Sequence, residues 1–310
     1  MTERVLAICG PTASGKSALA LKLAEVFDGV VINADSMQLY RELRILTARP
    51  DAAVLTRAPH RLYGVLPAAT PASAALWRKM ALEELGEARK AGKLPILVGG
   101  TGLYLQALAS GLAPIPAIPP EVRMEAADRL RRLGNAGLHG ELQTRDPVMA
   151  ARLKPGDRQR LLRAWEVLEA TGRSLADWQA EGGGGATVKL LPILLAPPRA
   201  ALYAACDGRF LDMLKAGALA EAAALAGFDP GLPLMKAVGV RELLRHLRGE
   251  ATLEEVTAQA QQATRRYAKR QLTWFRHRMA EGHWLHEQYS ESLDNEIFSF
   301  IRHFRLTTVG

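Results

Sequence analysis

The sequence predicts an α/β fold in which helices flank a parallel sheet and an all-α domain is inserted into the chain. Short apolar runs alternate with helical patterns over the first 110 of the 310 residues, and this alternation is typical of parallel strands joined by helices. Residues 121–172 carry only helical patterns and are rich in arginine. A run of buried-strand character returns at residues 189–196. Together these observations indicate one sheet domain that is interrupted by a helical insertion.

The first predicted strand spans residues 5–9 and leads directly into a glycine-rich loop. Residues 16–27 follow as a predicted helix, because their apolar side chains recur on one face. A second strand is predicted at residues 30–33, and it stops at the pair Asp35-Ser36. A polar pair therefore follows the second strand, close to the end of the first.

The next predicted helix begins with Thr70 as its N-cap and Pro71 at its first helical position. Gly92 is predicted to end this helix. A third strand is predicted at residues 95–98, and the glycine-rich stretch 99–102 follows it. The alternation of strand and helix thus continues to the end of the first sheet segment.

Two stretches of unusual composition mark the domain boundaries. Four prolines lie within residues 114–120, and four consecutive glycines at 182–185 are typical of a flexible joint. The predicted organisation has three parts: a core of residues 1–114 and 187–286, a helical insertion of residues 115–186, and a tail of residues 287–310 with no assigned role.

The bulk properties favour a cytoplasmic protein with a polyanionic partner. The net charge is +8 and the pI is about 9.7, and a basic excess of this kind suggests nucleic acid. Two distant cysteines, Cys9 and Cys206, argue against a disulfide framework and a structural zinc site. The sequence starts with no signal peptide, and its longest apolar stretch is too short to cross a membrane.

Residues 10–17 fit the pattern G-x-x-x-x-G-K-[ST] between a predicted strand and a predicted helix. In such a loop, backbone N–H groups and the helix N-terminus converge on phosphate oxygens. Lys16 is predicted to neutralise a terminal phosphate, and Ser17 to coordinate Mg²⁺. The sheet is therefore predicted to be P-loop NTPase-like, with a diphosphate or triphosphate as ligand. The motif does not say whether that ligand is ATP. The predicted phosphate-binding residues are Gly10, Pro11, Thr12, Ala13, Ser14, Gly15, Lys16 and Ser17.

Asp35 is the candidate acidic residue, since ligands of open α/β sheets bind beyond the carboxyl ends of strands. Its carboxylate suits a Mg²⁺ ligand, a general base or simply a turn cap. Gln38 follows three residues later, and its amide matches the N6 and N7 edge of adenine, although isolated glutamines are usually solvated. The residues alone leave these alternatives open.

Taken in order, the motifs of this chain resemble the tRNA dimethylallyltransferases. The resemblance covers about residues 4–285 and is specific as an ordered set, whereas the phosphate loop alone is widely shared. The matching motifs are GPTASGKS (10–17), ADSMQLY (34–40), TARP (47–50), APHRLYG (58–64), LVGGTGLY (97–104), DPVMAARLKPGDRQRLLRAWEV (146–167), Arg209-Phe210, AVGVREL (237–243) and KRQLTWFR (269–276).

The resemblance implies that the phosphate loop binds the diphosphate of dimethylallyl diphosphate, with Mg²⁺ as cofactor. The acceptor it implies is N6 of the adenosine that lies 3′ of the anticodon in tRNA. It makes Asp35 the base that accepts the N6 proton, places Thr101 beside the reacting centre, and lets Arg209 hold the diphosphate. Nothing in the sequence demands more than a monomer, and no obligate protein partner is expected.

The same resemblance implies a set of tRNA contacts with the anticodon stem-loop. The basic stretch 265–278 is expected to lie against the RNA, and the glycine run 182–185 to let the insertion move. The implied contact residues are Asp35, Ser36, Met37, Gln38, Thr101, Arg123, Gln159, Arg160, Leu161, Leu162, Arg163 and Arg270.

Several of these residues have a purely structural alternative. Tyr267 and Trp274 lie beside an apolar stripe and are also consistent with packing, Thr101 is consistent with a helix N-cap, and the polar residues of the insertion suit a solvated helix face. Residues 263–279, however, contain six Lys and Arg and no acidic residue, which favours a polyanionic partner.

The chain also departs from the family pattern at three positions. Leu46 stands where the family usually has glycine, Arg49 replaces a lysine, and Val240 replaces a tyrosine. We expect these changes to affect a loop and one RNA contact rather than the reaction.

Two other functions use the same motifs. A P-loop kinase shares the sheet, the loop and the acidic residue, but it needs neither a long basic insertion nor a cationic helix. A nucleotide-driven RNA-binding switch would bind RNA tightly and form no covalent product.

Overall fold

The computed structural model describes residues 3–183 and 188–306 of the chain. Its sheet has six strands in the order β3-β2-β4-β1-β5-β6, and all of its strand pairs are parallel. The α/β fold class is therefore confirmed. The strands are β1 (Glu3–Cys9), β2 (Gly29–Asn33), β3 (His60–Arg61), β4 (Leu94–Gly99), β5 (Val188–Leu195) and β6 (His283–Leu285).

The four predicted strands correspond to β1, β2, β4 and β5, and sequence reasoning missed only the two short edge strands. The helices before the insertion are α1 (Lys16–Phe27), α2 (Ala52–Arg57), α3 (Ala74–Lys90) and α4 (Gly102–Ser110). Those of the insertion are α5 (Pro120–Arg145), α6 (Pro147–Arg152), α7 (Arg158–Thr171) and α8 (Leu175–Ala180). After β5 come α9 (Arg199–Lys215), α10 (Ala218–Ala224), α11 (Val240–Leu247), α12 (Leu253–Arg278) and α13 (Asp294–Leu306).

Helix α3 starts later than the sequence predicts. Its N-cap is Ser73, whose hydroxyl accepts a hydrogen bond from the amide of Leu76 at 3.1 Å, so the prediction of Thr70 as N-cap is wrong. The preceding residues are held instead by Tyr40, whose hydroxyl donates to the carbonyl of Thr70 and accepts from the amide of Ala72.

Alternating strand residues build two apolar layers, as the period of a β-strand requires. One face of the sheet carries Val5, Ala7 and Cys9 and is packed by side chains of α3, α4, α9, α11 and α12. The other face carries Leu6 and Ile8 and is packed by α1 and by α13. Helix α13, from the tail with no assigned role, is thus part of the sheet core. Both cysteines are free and buried.

The chain divides into two compact units, Met1–Ala109 with Thr187–Gly310, and Ser110–Ala186. The second unit has its own helical core, in which Trp165, Leu138 and Leu142 are fully buried. Its longest helix, α5, is interrupted at Gly134, where φ is 66°. Asp146 caps α6 through the amide of Met149.

Part of the predicted flexible joint, residues 184 and 185, lies outside the described residues. In the part of the chain that the structure describes, no helix is both long and apolar enough to cross a membrane.

Candidate functional site

The phosphate loop lies between the carboxyl end of β1 and the first residue of α1. Gly10 and Gly15 both have positive φ, 145° and 93°, which residues with a Cβ atom rarely adopt. A Cβ on Gly10 would lie 2.6 Å from the carbonyl oxygen of Leu195. The two glycines of the motif are therefore required by backbone conformation, and at Gly10 also by close approach to β5.

A buried glutamine of α12 fixes this loop to its neighbour. Gln271 accepts a hydrogen bond from the amide of Thr12 at 2.8 Å and donates one to the carbonyl of Gly100 at 3.0 Å. It is only 5% exposed. Sequence reasoning missed this role, and the available signal was a polar residue beside the apolar stripe of a helix.

Lys16, the lysine of the motif, is half-buried and donates to the carbonyl of Pro11 at 2.7 Å. Burial lowers the pKa of its ammonium to about 8, and the nearby Arg209 guanidinium lowers this pKa further, whereas Asp35 opposes the fall. Removing a cation from water disfavours its charged form. A bound anion would raise the pKa of Lys16 again, so phosphate binding favours the protonated lysine.

Arg209 brings a second cation to the loop from α9. Its guanidinium donates to the hydroxyl of Thr12 at 3.1 Å. Burial lowers its pKa as well, and the charge of Asp35 partly offsets the change. Since a guanidinium stays protonated in proteins, Arg209 supplies a fixed positive charge beside Lys16.

Asp35 is oriented by the buried residue Asn33 at the end of β2. The side chain of Asn33 accepts from the amide of Asp35 at 2.8 Å and donates to the carbonyls of Asp35 and Leu62, each at 2.9 Å. One carboxylate oxygen of Asp35 accepts from the amide of Met37 at 2.9 Å. The turn cap foreseen as an alternative is therefore present, and Asn33 is a positioning residue that sequence reasoning missed.

Strand β4 lies between β1 and β2, so Asp35 follows a strand that is one position removed from β1. The carboxyl ends of the three strands nevertheless meet at one edge of the sheet. A cavity of about 370 Å³ opens there, and its walls combine the phosphate loop with Asp35, Arg209 and residues not predicted from the sequence. The lining residues are Thr12, Ala13, Gly15, Lys16, Ser17, Ala18, Asp35, Gln38, Thr47, Ala48, Val98, Gly99, Ala205, Arg209 and Gln288.

Thr101 joins the loop after β4 to the loop after β2. Its hydroxyl accepts from the amide of Ser36 at 3.1 Å, and its own amide donates to the carbonyl of Ala34 at 3.2 Å. The hydroxyl thus serves the segment of Asp35 rather than capping α4. Thr101 and Ser36 therefore support the candidate site from the neighbouring strand end.

Gln38 uses its amide group within the protein. The N–H donors bond to the carbonyls of Thr47 at 2.8 Å and Ala48 at 3.2 Å. Pairing with an adenine edge through both amide atoms would require the side chain to exchange these bonds. The loop that it contacts is fixed from the other side by Glu221, whose carboxylate accepts from the three consecutive amides of residues 44–46 at 2.7–2.9 Å.

Three tyrosines lie within electrostatic range of the carboxylate of Asp35. Burial raises the pKa of Tyr63, Tyr104 and Tyr267, and the negative charge of Asp35 adds to the rise at each of them. Trp274 packs over Gly102, where an added Cβ would lie 2.3 Å from its ring. The packing alternative therefore describes Trp274 in this structure.

The predicted RNA-binding residues of the insertion differ in exposure. Arg123, Gln159 and Arg160 are exposed, and Arg163 lies 3.5 Å from Glu166. Leu161 is fully buried in the core of the insertion. The expectation that the Leu161 side chain contacts tRNA is wrong, because that side chain faces the other helices. Leu162 is half-buried against the same core.

The cationic face of α12 forms a concave surface of its own. The cavity there has a volume of about 620 Å³, and its lining within the described residues comes from α12, including Arg266, Lys269, Arg270 and Arg278. The guanidinium of Arg270 lies 5.8 Å from the ring centre of Tyr267. Four cations on one helix face suit a phosphate backbone.

The three departures from the family pattern are structurally resolved. Leu46 is buried and packs against Gly239, where an added Cβ would lie 2.9 Å from it. Arg49 donates to the carbonyl of Tyr40 at 3.0 Å. Val240 is fully buried, so its side chain is part of the core rather than an RNA contact.

A phosphate loop at the carboxyl edge of a parallel sheet flanked by helices defines an α/β protein of the P-loop class. Residues 38–278 match the family IPP transferase, and residues 3–65 match the family isopentenyl transferase. The chain belongs to the IPP transferase family. It is 60% identical to a tRNA dimethylallyltransferase of Rhodospirillum centenum over 90% of both chains. It is 54% identical to that of Paramagnetospirillum magneticum, over 97% of this chain and 96% of the relative.

Solved structures agree with this assignment. The full-length tRNA isopentenylpyrophosphate transferase of Bacillus halodurans superposes with a TM-score of 0.68 at 32% identity, over 98% of this chain and 96% of that one. A eukaryotic dimethylallyltransferase acting on tRNA has a TM-score of 0.76 at 28% identity, over 88% of this chain and 70% of that one.

Proposed function

We propose that this chain transfers a dimethylallyl group from dimethylallyl diphosphate to N6 of the adenosine 3′-adjacent to the anticodon in tRNAs. The products are N6-(dimethylallyl)adenosine and diphosphate. One observation carries the proposal: a single cavity of about 370 Å³ brings the phosphate loop, Arg209 and Asp35 together. The names of the relatives support the same reaction.

The two cations of the cavity act on the leaving group. The bond between the allylic carbon and the diphosphate oxygen breaks while a bond forms from that carbon to N6 of adenine. Lys16, Arg209 and the loop amides stabilise the negative charge that develops on the departing diphosphate. Arg209 is also bonded to Thr12 of the loop, so both cations are preorganised where this charge appears.

Asp35 acts on the nucleophile. The adenine amino group is a weak nucleophile, because its lone pair is delocalised into the ring, and it must lose a proton when the new bond forms. We assign this proton to the carboxylate of Asp35, which Asn33 and the amide of Met37 hold in place. A positioned base of this kind accelerates a reaction by about 10²–10⁴.

The residues of the cavity fit a magnesium ion that arrives with the diphosphate. Among residues 3–183 and 188–306, no three His, Cys, Asp or Glu side chains cluster as ligands, but the exposed hydroxyl of Ser17, the predicted magnesium ligand, lines the cavity. Such a sparse set of oxygen donors suits an ion held mainly by substrate phosphates and water. When bound, it would neutralise charge on the leaving diphosphate.

The tRNA is proposed to bind through exposed polar residues of both units. In the insertion these are Arg123, Gln159 and Arg160, and in the sheet unit they include Arg270 of α12. A base in a loop is unstacked at low cost, which makes the anticodon loop a suitable substrate. We further propose that the protein works in the cytoplasm, as a monomer without an obligate protein partner.

Mass spectrometry of tRNA nucleosides tests the proposal. Unmodified tRNA is incubated with the protein, dimethylallyl diphosphate and Mg²⁺, and N6-(dimethylallyl)adenosine is expected. Omission of the diphosphate substrate is the control. Phosphate transfer from labelled ATP to a small acceptor, without any prenylated nucleoside, would overturn the proposal in favour of a kinase.

A further inference from the structure

The segment after β6 contacts the phosphate loop directly. The side-chain amide of Gln288 donates to the carbonyl of Ala13 at 3.0 Å, and Gln288 lines the same cavity as Lys16 and Asp35. The two bonded residues are 275 positions apart in the chain. The tail therefore contributes a side chain to the proposed diphosphate site.

Ala13 is the residue of the loop that most needs such a contact. Its φ is 63°, in the left-handed region that residues with a Cβ atom seldom occupy. Strained backbone of this kind persists only where its surroundings hold it. The bond from Gln288 holds the carbonyl of Ala13, and with it the plane of the peptide that carries the next amide of the loop.

Gln288 is itself held by the sheet unit. Its neighbour Tyr289 packs against Gly15, where an added Cβ would lie 2.7 Å from the Cβ of the tyrosine. The hydroxyl of Tyr289 donates to Asp294 at 2.9 Å. Phe298 of α13 meets Phe27 of α1 edge to face, with ring centres 5.6 Å apart. Gln288 is thus fixed by helices that pack on the sheet.

The side-chain oxygen of Gln288 is buried, and within the described residues it lacks a hydrogen-bond partner. Buried acceptors are nearly always paired with protein or ordered water. This oxygen lies beside the cavity that would hold the phosphates. A water molecule that binds with the diphosphate would supply the hydrogen-bond donor that the oxygen lacks.

We infer that Gln288 is a positioning residue of the diphosphate site, which fixes the Ala13 carbonyl and so orients the loop amides toward the phosphates. This inference rests on the proposed function for the identity of its ligand. Gln288 acts through the loop, so it sets diphosphate affinity and supports the transfer step through the amides that stabilise the leaving diphosphate, whereas tRNA binding does not depend on it.

Calorimetric titration with inorganic diphosphate and with dimethylallyl diphosphate tests the inference. Gln288→Ala is expected to weaken both ligands by about five- to tenfold, the effect of one net hydrogen bond. Its KM for dimethylallyl diphosphate should rise to the same extent and its kcat should fall, because the same amides stabilise the leaving diphosphate, while the Kd for tRNA and the melting temperature stay unchanged. Gln288→Glu, which keeps the length of the side chain but lacks the N–H donor, should bind the two ligands no better than Gln288→Ala does. Glu287→Ala, at an exposed neighbouring position, is the matched control.

Unchanged diphosphate affinity in Gln288→Ala would overturn the inference. So would a parallel loss of diphosphate affinity, tRNA affinity and melting temperature, because that pattern indicates general destabilisation. Wild-type protein that binds inorganic diphosphate but transfers no prenyl group would instead contradict the proposed function. The comparison between Gln288→Ala and Glu287→Ala would still decide the positioning role in that case.

Discussion

Asp35 combines a structural and a chemical property in one carboxylate. One of its oxygens accepts the amide of Met37, and Asn33 fixes its backbone. The same carboxylate lies in the field of Lys16 and Arg209, whose pKa values it raises against the effect of burial. A proton acceptor and two cations thus share one small volume without direct ion pairing, as a substrate inserted between them requires.

Asp35→Asn separates these properties. Asparagine keeps the turn cap, since its side-chain oxygen still accepts the amide of Met37, but it is no base. We expect kcat for prenyl transfer to fall by about 10²–10⁴, with the Kd for tRNA unchanged. Asp51→Asn is the control, because Asp51 caps α2 by an equivalent bond away from the cavity. Turnover of Asp35→Asn at the wild-type rate would remove Asp35 as the base.

The pKa of Lys16 predicts how diphosphate binding depends on pH. In the free protein this pKa is lowered to about 8, so the ammonium is present below that pH. Above it, the neutral amine must take up a proton when the anion binds, and affinity should fall by up to about tenfold per pH unit. Titration of dimethylallyl diphosphate between pH 7 and pH 9.5 or so measures the slope. Lys16→Arg should lack this fall, whereas an equal fall in both proteins would assign the titration to another group.

Among the secondary-structure elements, helix α10 contributes to the site by anchoring a loop that lines the cavity. Glu221 accepts hydrogen bonds from the three backbone amides of residues 44–46. It thereby anchors the loop whose next two carbonyls, of Thr47 and Ala48, accept hydrogen bonds from the side chain of Gln38. A carboxylate that accepts several amides fixes a loop conformation, because each amide would otherwise need its own acceptor. The loop on the far side of the cavity therefore depends on a helix that is remote in sequence.

Glu221→Ala should lower the free energy of unfolding by about 2 kcal/mol, since it leaves three amides without their charged acceptor. Urea denaturation measures this change. Asp212→Ala removes an exposed carboxylate that is paired only with Lys215 of the same helix, and it should change stability by less than about 0.5 kcal/mol. Similar values for the two variants would show that the Glu221 contacts do not stabilise the loop.

Neighbouring residues of α7 in the insertion differ in burial, since Leu161 is fully buried and Arg160 is exposed. Leu161→Ala should destabilise this unit by about 2–5 kcal/mol, as expected for a fully buried leucine. Arg160→Ala, at the adjacent exposed position, should leave stability unchanged and weaken tRNA binding. Denaturation curves and tRNA binding assays on both variants test this division. Weaker tRNA binding by Leu161→Ala at full stability would restore Leu161 as a contact residue.

At the scale of the whole molecule, the net charge is +8, and residues 263–279 carry six Lys and Arg without an acidic residue. Arg270→Gln should weaken tRNA binding and reduce the slope of log Kd against log salt by about 0.7–0.9, the value for one lost phosphate contact. Arg248→Gln removes the same charge from an arginine paired with Glu250. Equal slopes for these two variants would place Arg270 away from the RNA.

The sequence predicted those parts of the molecule that local pattern determines. The phosphate loop is a contiguous motif, and Asp35 follows a strand whose carboxyl end must meet the edge of a parallel sheet. The convergence of Lys16, Asp35 and Arg209 on one cavity agrees with the placement expected for them. Their chemical roles stay proposals that the variants above test.

Long-range polar contacts were not predictable in the same way. Gln271 and Gln288 bond to a loop more than 250 residues earlier, and no local pattern marks a glutamine as the partner of a distant backbone group. Leu161 shows a different failure. Its spacing from Ala164 and Trp165 is that of a buried helix face, but the family resemblance of the whole segment 159–163 led to its interpretation as an RNA contact.

The interruption of the sheet unit by the insertion has a consequence for biosynthesis. The phosphate loop leaves the ribosome first, whereas the two glutamines that bond to it are translated 259 and 275 residues after their partners. A chain whose synthesis stopped before these residues would contain the whole phosphate loop but lack the two glutamine side chains that bond to it. Full diphosphate affinity should therefore be reached only after Gln271 and Gln288 have been synthesised and have bonded to the loop.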